Sequence, residues 1–105
     1  MRKYSPIILL LIALNPAIAA INPLIRADNT FIYPVSLHYY NGKYYIGDRG
    51  REAILAFKNG KITTLYHSND NRKIDIPLSL SDDNSHSIIV GDVGVGALSK
   101  INIQT

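Results

Sequence analysis

The chain has 105 residues, no cysteine and a formal charge of +3 at pH 7. This length allows one small domain with a modest core, and no disulfide can stabilise it. Two of the 11 Lys and Arg lie at the extreme N-terminus, and the other nine (11 − 2) face eight acidic residues. A charge so close to neutral argues against nucleic acid or an anionic membrane as partner.

The first 19 residues have the pattern of a secretory signal peptide. Arg2 and Lys3 precede an apolar run at 7–14, and residues 17–19 (Ala-Ile-Ala) are the small residues that a signal peptidase reads. The apolar run is shorter than the about 20 residues that span a bilayer. We expect cleavage after Ala19 and an extracytoplasmic protein, periplasmic or secreted, with no membrane contact afterwards. An uncleaved anchor and a buried N-terminal segment are the alternatives.

Residues 20–34 are expected to form an exposed leader followed by one lone strand. Pro23 disfavours a central strand, whereas residues 30–33 (Thr-Phe-Ile-Tyr) are β-branched and aromatic, as strands prefer.

Residues 35–66 predict four short antiparallel strands. Apolar and polar residues alternate along 35–40, and Asn41-Gly42 and Asn59-Gly60 are the dipeptides that favour tight hairpins. The strands are expected at 35–40, 43–47, 53–57 and 61–66. Four strands joined in this way make one blade of a β-propeller.

A polar connector at 67–75 leads to a second unit at 76–105. Strands are expected at 76–80, 87–91 and 97–102, which leaves this unit without its last strand. The lone strand 30–33 is the predicted counterpart of the missing one. The sequence thus predicts an all-β protein: two four-stranded antiparallel propeller-like blades after an N-terminal signal peptide.

A short internal repeat supports two units. Gly47, Asp48 and Gly50 recur 44 positions later (92 − 48) as Gly91, Asp92 and Gly94. A period of roughly 40–50 residues is typical of propeller blades. We interpret these six residues as structural. The aspartates are expected to accept hydrogen bonds from backbone N–H groups of the following corner, where glycine allows conformations that other residues avoid.

The repeat resembles the NHL repeat and the blades of gluconolactonase/regucalcin-like six-bladed propellers. The matching positions are Gly42, Tyr44, Tyr45, Ile46, Gly47, Asp48, Ile54, Phe57 and Gly60, and in the second unit residues 88–92, Leu98 and Ile101. Those propellers carry about four to eight blades, whereas this chain has two. The resemblance implies that a lactonase metal site would need residues from several blades, and two blades cannot surround a central channel.

The candidate binding residues are Tyr40, Tyr44 and His38. Alternation predicts cross-strand tyrosine pairs, Tyr39 with Tyr45 or Tyr40 with Tyr44, on opposite faces of the hairpin. An exposed pair suits a sugar or a protein partner, and packing against a neighbouring blade is the alternative. No catalytic residue, metal site or cofactor is predicted, because the three histidines are isolated and no nucleophile motif occurs.

These features predict an exported, non-enzymatic module that binds a protein or a glycan. It is also a candidate for a homo-oligomer, in which strand 30–33 of one chain completes the blade of the next and three chains complete a propeller. Two alternatives stay open. One is a truncated, inactive fragment of a lactonase/hydrolase-type six-bladed propeller enzyme, and the other is a small stand-alone β-sandwich.

Overall fold

The computed structural model describes residues 19–24 and 31–103, and this part of the chain is all-β and antiparallel. The strands are β1 (Pro34–Tyr40), β2 (Lys43–Asp48), β3 (Ala53–Lys58), β4 (Lys61–His67), β5 (Ser79–Asp82), β6 (Ser87–Asp92) and β7 (Ala97–Asn102). The predicted signal peptide lies outside the described residues, except for Ala19. Within the described ranges, no helix is long and apolar enough to cross a membrane.

The strands form two meanders. Sheet 1 has the order β1-β2-β3-β4, and sheet 2 has the order β5-β6-β7. Asn41 and Asn59 adopt positive φ angles of 53° and 52°, each followed by a glycine with positive φ, as the predicted hairpin turns require. The prediction of an all-β fold is therefore confirmed.

Sheet 2 has three strands in the described part of the chain, as expected for a unit without its last strand, so only sheet 1 is four-stranded as predicted for both units. Two details of the prediction are wrong: residues 31–33 are not a strand (Thr30 lies outside the described residues), and β5 begins at Ser79 instead of Ile76. The cause is the same for both segments. The backbone N–H groups of Ile32, Tyr33 and Ile76 are bound to buried carboxylates, so they cannot enter a strand ladder.

The main core lies between the two sheets. The face of sheet 1 that carries Tyr45, Ile54 and Ala56 packs on the face of sheet 2 that carries Ile88 and Val90. We call these the inner faces. Ile54 and Ile88 have no exposed surface. The first strands of the two sheets are neighbours, because β5 lies against β1 and β2.

The opposite face of sheet 1, its outer face, has a smaller apolar cluster. Ile46, Ala53 and Leu55 are buried there, and Phe31, Tyr44, Phe57 and Ile62 pack against them. Sheet 2 does not cover this face, and Leu37 and Tyr39 are exposed on it.

Candidate functional site

The first of the two repeated corners is built around Asp48. Its buried carboxylate accepts hydrogen bonds from the backbone N–H groups of Ile32 (3.0 Å) and Tyr33 (2.9 Å), which precede β1, and of Arg51 (3.1 Å), which follows β2. One side chain therefore joins the entry of the sheet to the corner between β2 and β3.

Asp92 does the same in sheet 2. It accepts from the backbone N–H groups of Asp75 (2.8 Å) and Ile76 (3.0 Å), and from Gly94 (3.0 Å) and Val95 (2.9 Å) in the corner. Burial alone would raise the pKa of this carboxyl, but the four hydrogen bonds to its charged form outweigh that effect and lower the pKa.

The two corners share further contacts. Arg49 N–H donates to the Tyr33 carbonyl at 2.9 Å, and Val93 N–H donates to the Ile76 carbonyl at 3.1 Å. A side chain at Gly50 would collide with Ile32, and one at Gly94 would collide with Asp75. These aspartates thus have the same surroundings, and their oxygens are occupied by their own backbone. The arrangement holds the chain in shape and offers no open ligand position in the described contacts.

The contacts reveal a second repeat that was missed in the sequence. Tyr33, Pro34, Ser36 and Leu37 correspond to Ile76, Pro77, Ser79 and Leu80, at an offset of 43 (77 − 34) instead of 44. In both sheets this serine pairs with the corner glycine of the next strand, Ser36 with Gly47 and Ser79 with Gly91. The sequence contains this repeat as Pro-x-Ser-Leu in both units. It is not apparent at the 44-residue offset of the aspartates, because its own offset is one residue shorter.

Polar contacts join the two sheets where β1 lies against β5 and the segment before it. Ser36 Oγ donates a hydrogen bond to the Pro77 carbonyl, and Pro77 is fully buried over Gly47. His38 Nε2 lies 2.8 Å from an oxygen of Asp82, and both side chains are partly exposed. These contacts fix β5 against β1.

The structure does not bring the three predicted binding residues together. His38 and Tyr40 lie on the inner face of β1, with ring centroids 6.5 Å apart, whereas Tyr44 lies on the outer face of β2.

Tyr45 lies in the core between the sheets. Its burial, and to a lesser extent the nearby Tyr40, raises the pKa of Tyr45.

The predicted tyrosine pairs are also wrong by one register position. Tyr39 pairs with Tyr44, because Asn41 and Gly42 form a two-residue turn that is closed by Tyr40 and Lys43. Two tyrosines therefore share the outer face, with ring centroids 4.8 Å apart.

The outer face of sheet 1 is the best candidate for a binding surface. It carries a cavity of 420 Å³ lined by Leu24, Phe31, Pro34, Val35, Ser36, Leu37, Tyr44, Ile46 and Phe57. Leu37 is 63% exposed and Tyr39 is 58% exposed. Tyr44 continues the aromatic row to Phe57, at 6.2 Å between ring centroids. Contiguous exposed apolar surface of this kind marks interaction sites in soluble proteins.

Other charged groups are dispersed. Lys100 and Asp83 form an exposed ion pair at 3.0 Å, and hydrogen bonds from Ser85 and then Lys100 lower the pKa of Asp83 to about 2. Among the described residues, no three His, Cys, Asp or Glu side chains are grouped so that they could hold a metal ion.

No protein-family model matches the sequence, and no curated protein or solved structure is significantly similar to it.

Proposed function

We propose that this protein is an exported, non-enzymatic interaction module made of two propeller-type repeats. The observation that carries the proposal is the outer face of sheet 1. On this face Leu37 is 63% exposed and Tyr39 is 58% exposed, whereas Leu80, the repeat equivalent of Leu37, packs against the core between the sheets.

The chemistry of this face favours a protein partner over a glycan. Leu37 and Val35 provide aliphatic surface, and the rings of Tyr39 and Tyr44 are tilted by 57° relative to each other. A sugar needs hydrogen-bonding groups around a flat aromatic ring, whereas aliphatic and tilted aromatic side chains complement the apolar centre of a protein interface.

Propeller-like geometry is part of the proposal. Two consecutive meanders pack face to face, their first strands are neighbours, and each sheet has the same aspartate corner. Neighbouring propeller blades are related in this way. The resemblance to NHL and lactonase-type blades points in the same direction.

A cysteine-labelling experiment tests whether a partner covers the outer face. The natural chain has no cysteine, so Leu37→Cys introduces a single thiol on this face, and Val93→Cys introduces one with the same 63% exposure at a corner. We expect maleimide to label both variants in the denatured protein. In intact cells that export the full chain, it should label Val93→Cys several times faster than Leu37→Cys.

Equal labelling of the two thiols in cells would show that the face has no partner. The enzyme alternative has its own test, which is lactone hydrolysis with and without divalent metal. Turnover by the purified mature chain, above that of a heat-denatured sample, would contradict a non-enzymatic role.

A further inference from the structure

We infer that the partner of the outer face of sheet 1 is a second copy of this chain, bound head to tail through the outer face of sheet 2. This inference rests on the proposed function, because it names the occupant of the surface proposed there. It comes from comparing each residue with its repeat equivalent.

The outer face of sheet 1 is the repeat equivalent of the inner face of sheet 2. Tyr44 and Ile46 correspond to Ile88 and Val90, which have no exposed surface because they pack on sheet 1. Leu37 corresponds to Leu80, which also packs against that core. Sheet 1 therefore has apolar side chains at the positions through which sheet 2 packs on its neighbour. Among the described residues no sheet covers this face, where Leu37 is exposed and Ile46 is buried in the smaller cluster with Phe31.

The outer face of sheet 2 is, in the same way, the equivalent of the inner face of sheet 1. Leu98 corresponds to Ile54 and Ile89 to Tyr45, so two of the three apolar positions are retained, and Lys100 lies at the position of Ala56. Leu98 is 78% exposed, whereas Ile54 has no exposed surface. This face thus has apolar residues at two of the positions on which a sheet packs within the chain.

One contact can be specified at the level of atoms. Within the chain, buried Pro77 lies over Gly47, and its carbonyl accepts a hydrogen bond from Ser36. The equivalent residues are Pro34, which is exposed on sheet 1, and Gly91 and Ser79 on sheet 2. We expect Pro34 of one copy to lie over Gly91 of the next, with Ser79 Oγ donating to the Pro34 carbonyl.

The two faces are different surfaces, so the contact is heterologous. Such a contact continues the intrachain sheet packing from copy to copy, and it closes into a ring when the rotation between sheets allows. Six sheets, a common number for propellers, correspond to three chains. Unlike the strand exchange predicted from the sequence, this assembly does not require Ile32 and Tyr33 to give up their backbone hydrogen bonds to Asp48.

Single substitutions on each face test the assembly. By light scattering after size exclusion, we expect the mature protein to have about three times the mass of one chain. Leu37→Glu and Leu98→Glu each damage one face at an exposed position, so both should be monomeric. Val93→Glu, at the corner, is the matched control and should keep the wild-type mass.

Mixing the two monomeric variants distinguishes head-to-tail binding from a symmetric dimer. Each variant retains the face that the other has lost, so the mixture should contain a heterodimer of twice the chain mass. A monomeric wild-type protein, or a Leu98→Glu variant that still assembles, would overturn the inference.

A disulfide experiment covers the case in which a charged variant does not fold. The double variant Pro34→Cys/Ser79→Cys should form multimers linked between chains on oxidation, whereas Ser36→Cys/Pro77→Cys should crosslink only within one chain. A Pro34→Cys/Ser79→Cys protein that remains monomeric after oxidation would contradict the contact. If the purified protein is monomeric but Leu37→Cys is protected in cells, the self-assembly fails and the interaction module with another partner stands.

Discussion

The two sheets have the same meander and the same aspartate corner, yet their equivalent residues have opposite surroundings. Ile54 in sheet 1 is fully buried and Leu98 in sheet 2 is 78% exposed, while on the other faces Leu37 is exposed and Leu80 packs against the core. The difference arises because, among the described residues, the two sheets pack together through faces that are not repeat equivalents: the inner face of sheet 2 corresponds to the outer face of sheet 1. It follows that the corner belongs to the unit itself, whereas burial of the faces depends on what lies next to the unit.

The largest expected effect is a loss of stability in the core between the sheets, compared with the equivalent position on the outer face of sheet 1. Ile88→Ala removes a fully buried side chain and should reduce the free energy of unfolding by about 2–5 kcal/mol. Tyr44→Ala removes a partly buried side chain and should cost less than about 2 kcal/mol in the monomer. Urea denaturation at low protein concentration measures both. Equal losses would mean that the outer face of sheet 1 is covered within one chain.

The corners should respond alike to loss of their carboxylates. Asp48→Asn and Asp92→Asn each leave one carbonyl oxygen where two carboxylate oxygens accepted three or four backbone N–H groups. Unsatisfied buried donors should lower the free energy of unfolding by about 2–3 kcal/mol in each variant. Urea denaturation of the matched pair checks this, and a large effect at only one corner would show that the two corners are not equivalent.

A smaller difference is expected between the equivalent glycines of β2 and β6. A methyl group at Gly47 would lie 2.8 Å from the Pro77 carbonyl oxygen, so Gly47→Ala should cost about 1–3 kcal/mol through overpacking. At Gly91 the nearest atom is Ser79 Cβ, 3.2 Å away, and Gly91→Ala should cost less than about 1 kcal/mol in the monomer. Thermal denaturation of both variants gives the comparison. If Gly91→Ala leaves folding intact, it should still weaken the assembly.

The smallest effect is the acid dependence that Asp92 contributes. Its pKa is lower in the folded protein, so as pH falls the unfolded chain binds the proton first. The stabilisation is fully present above the unfolded pKa of about 4 and is lost as pH falls through the folded value. The difference in unfolding free energy between wild type and Asp92→Asn should therefore shrink as the pH is lowered from neutral to 3. Urea denaturation at a series of pH values measures this difference. A constant difference would contradict the lowered pKa.

Local chemistry made most of the fold predictable. The Asn-Gly turns and the alternation around them locate β2, β3 and β4 to within one residue, because both signals act between neighbours in sequence. The position of β5 was not predictable in this way. Asp92 binds the N–H of Ile76 from 16 residues away, and a hydrogen bond to a distant buried carboxylate leaves no trace in local propensity.

The candidate site was harder to predict than the fold. The sequence predicts Tyr44 as a binding residue because it is aromatic, but the face on which it lies depends on the register of the hairpin and on which side sheet 2 packs. Leu37 and Leu98, which carry the proposed interface, are ordinary strand leucines in the sequence. Only the difference between their exposure and that of Leu80 and Ile54 makes them informative.

The offset between equivalent residues is 43 in the first strands of the two sheets and 44 in the second strands, and this difference has a practical consequence. The extra residue of the second unit lies between Asp82 and Ile88, where Asn84 and His86 have positive φ, and the strand pairing on either side is unchanged. This tip of the hairpin accommodates a longer connection without moving the buried carboxylates at the far end. An epitope or affinity tag grafted between Asn84 and Ser85 should therefore leave the sheets intact.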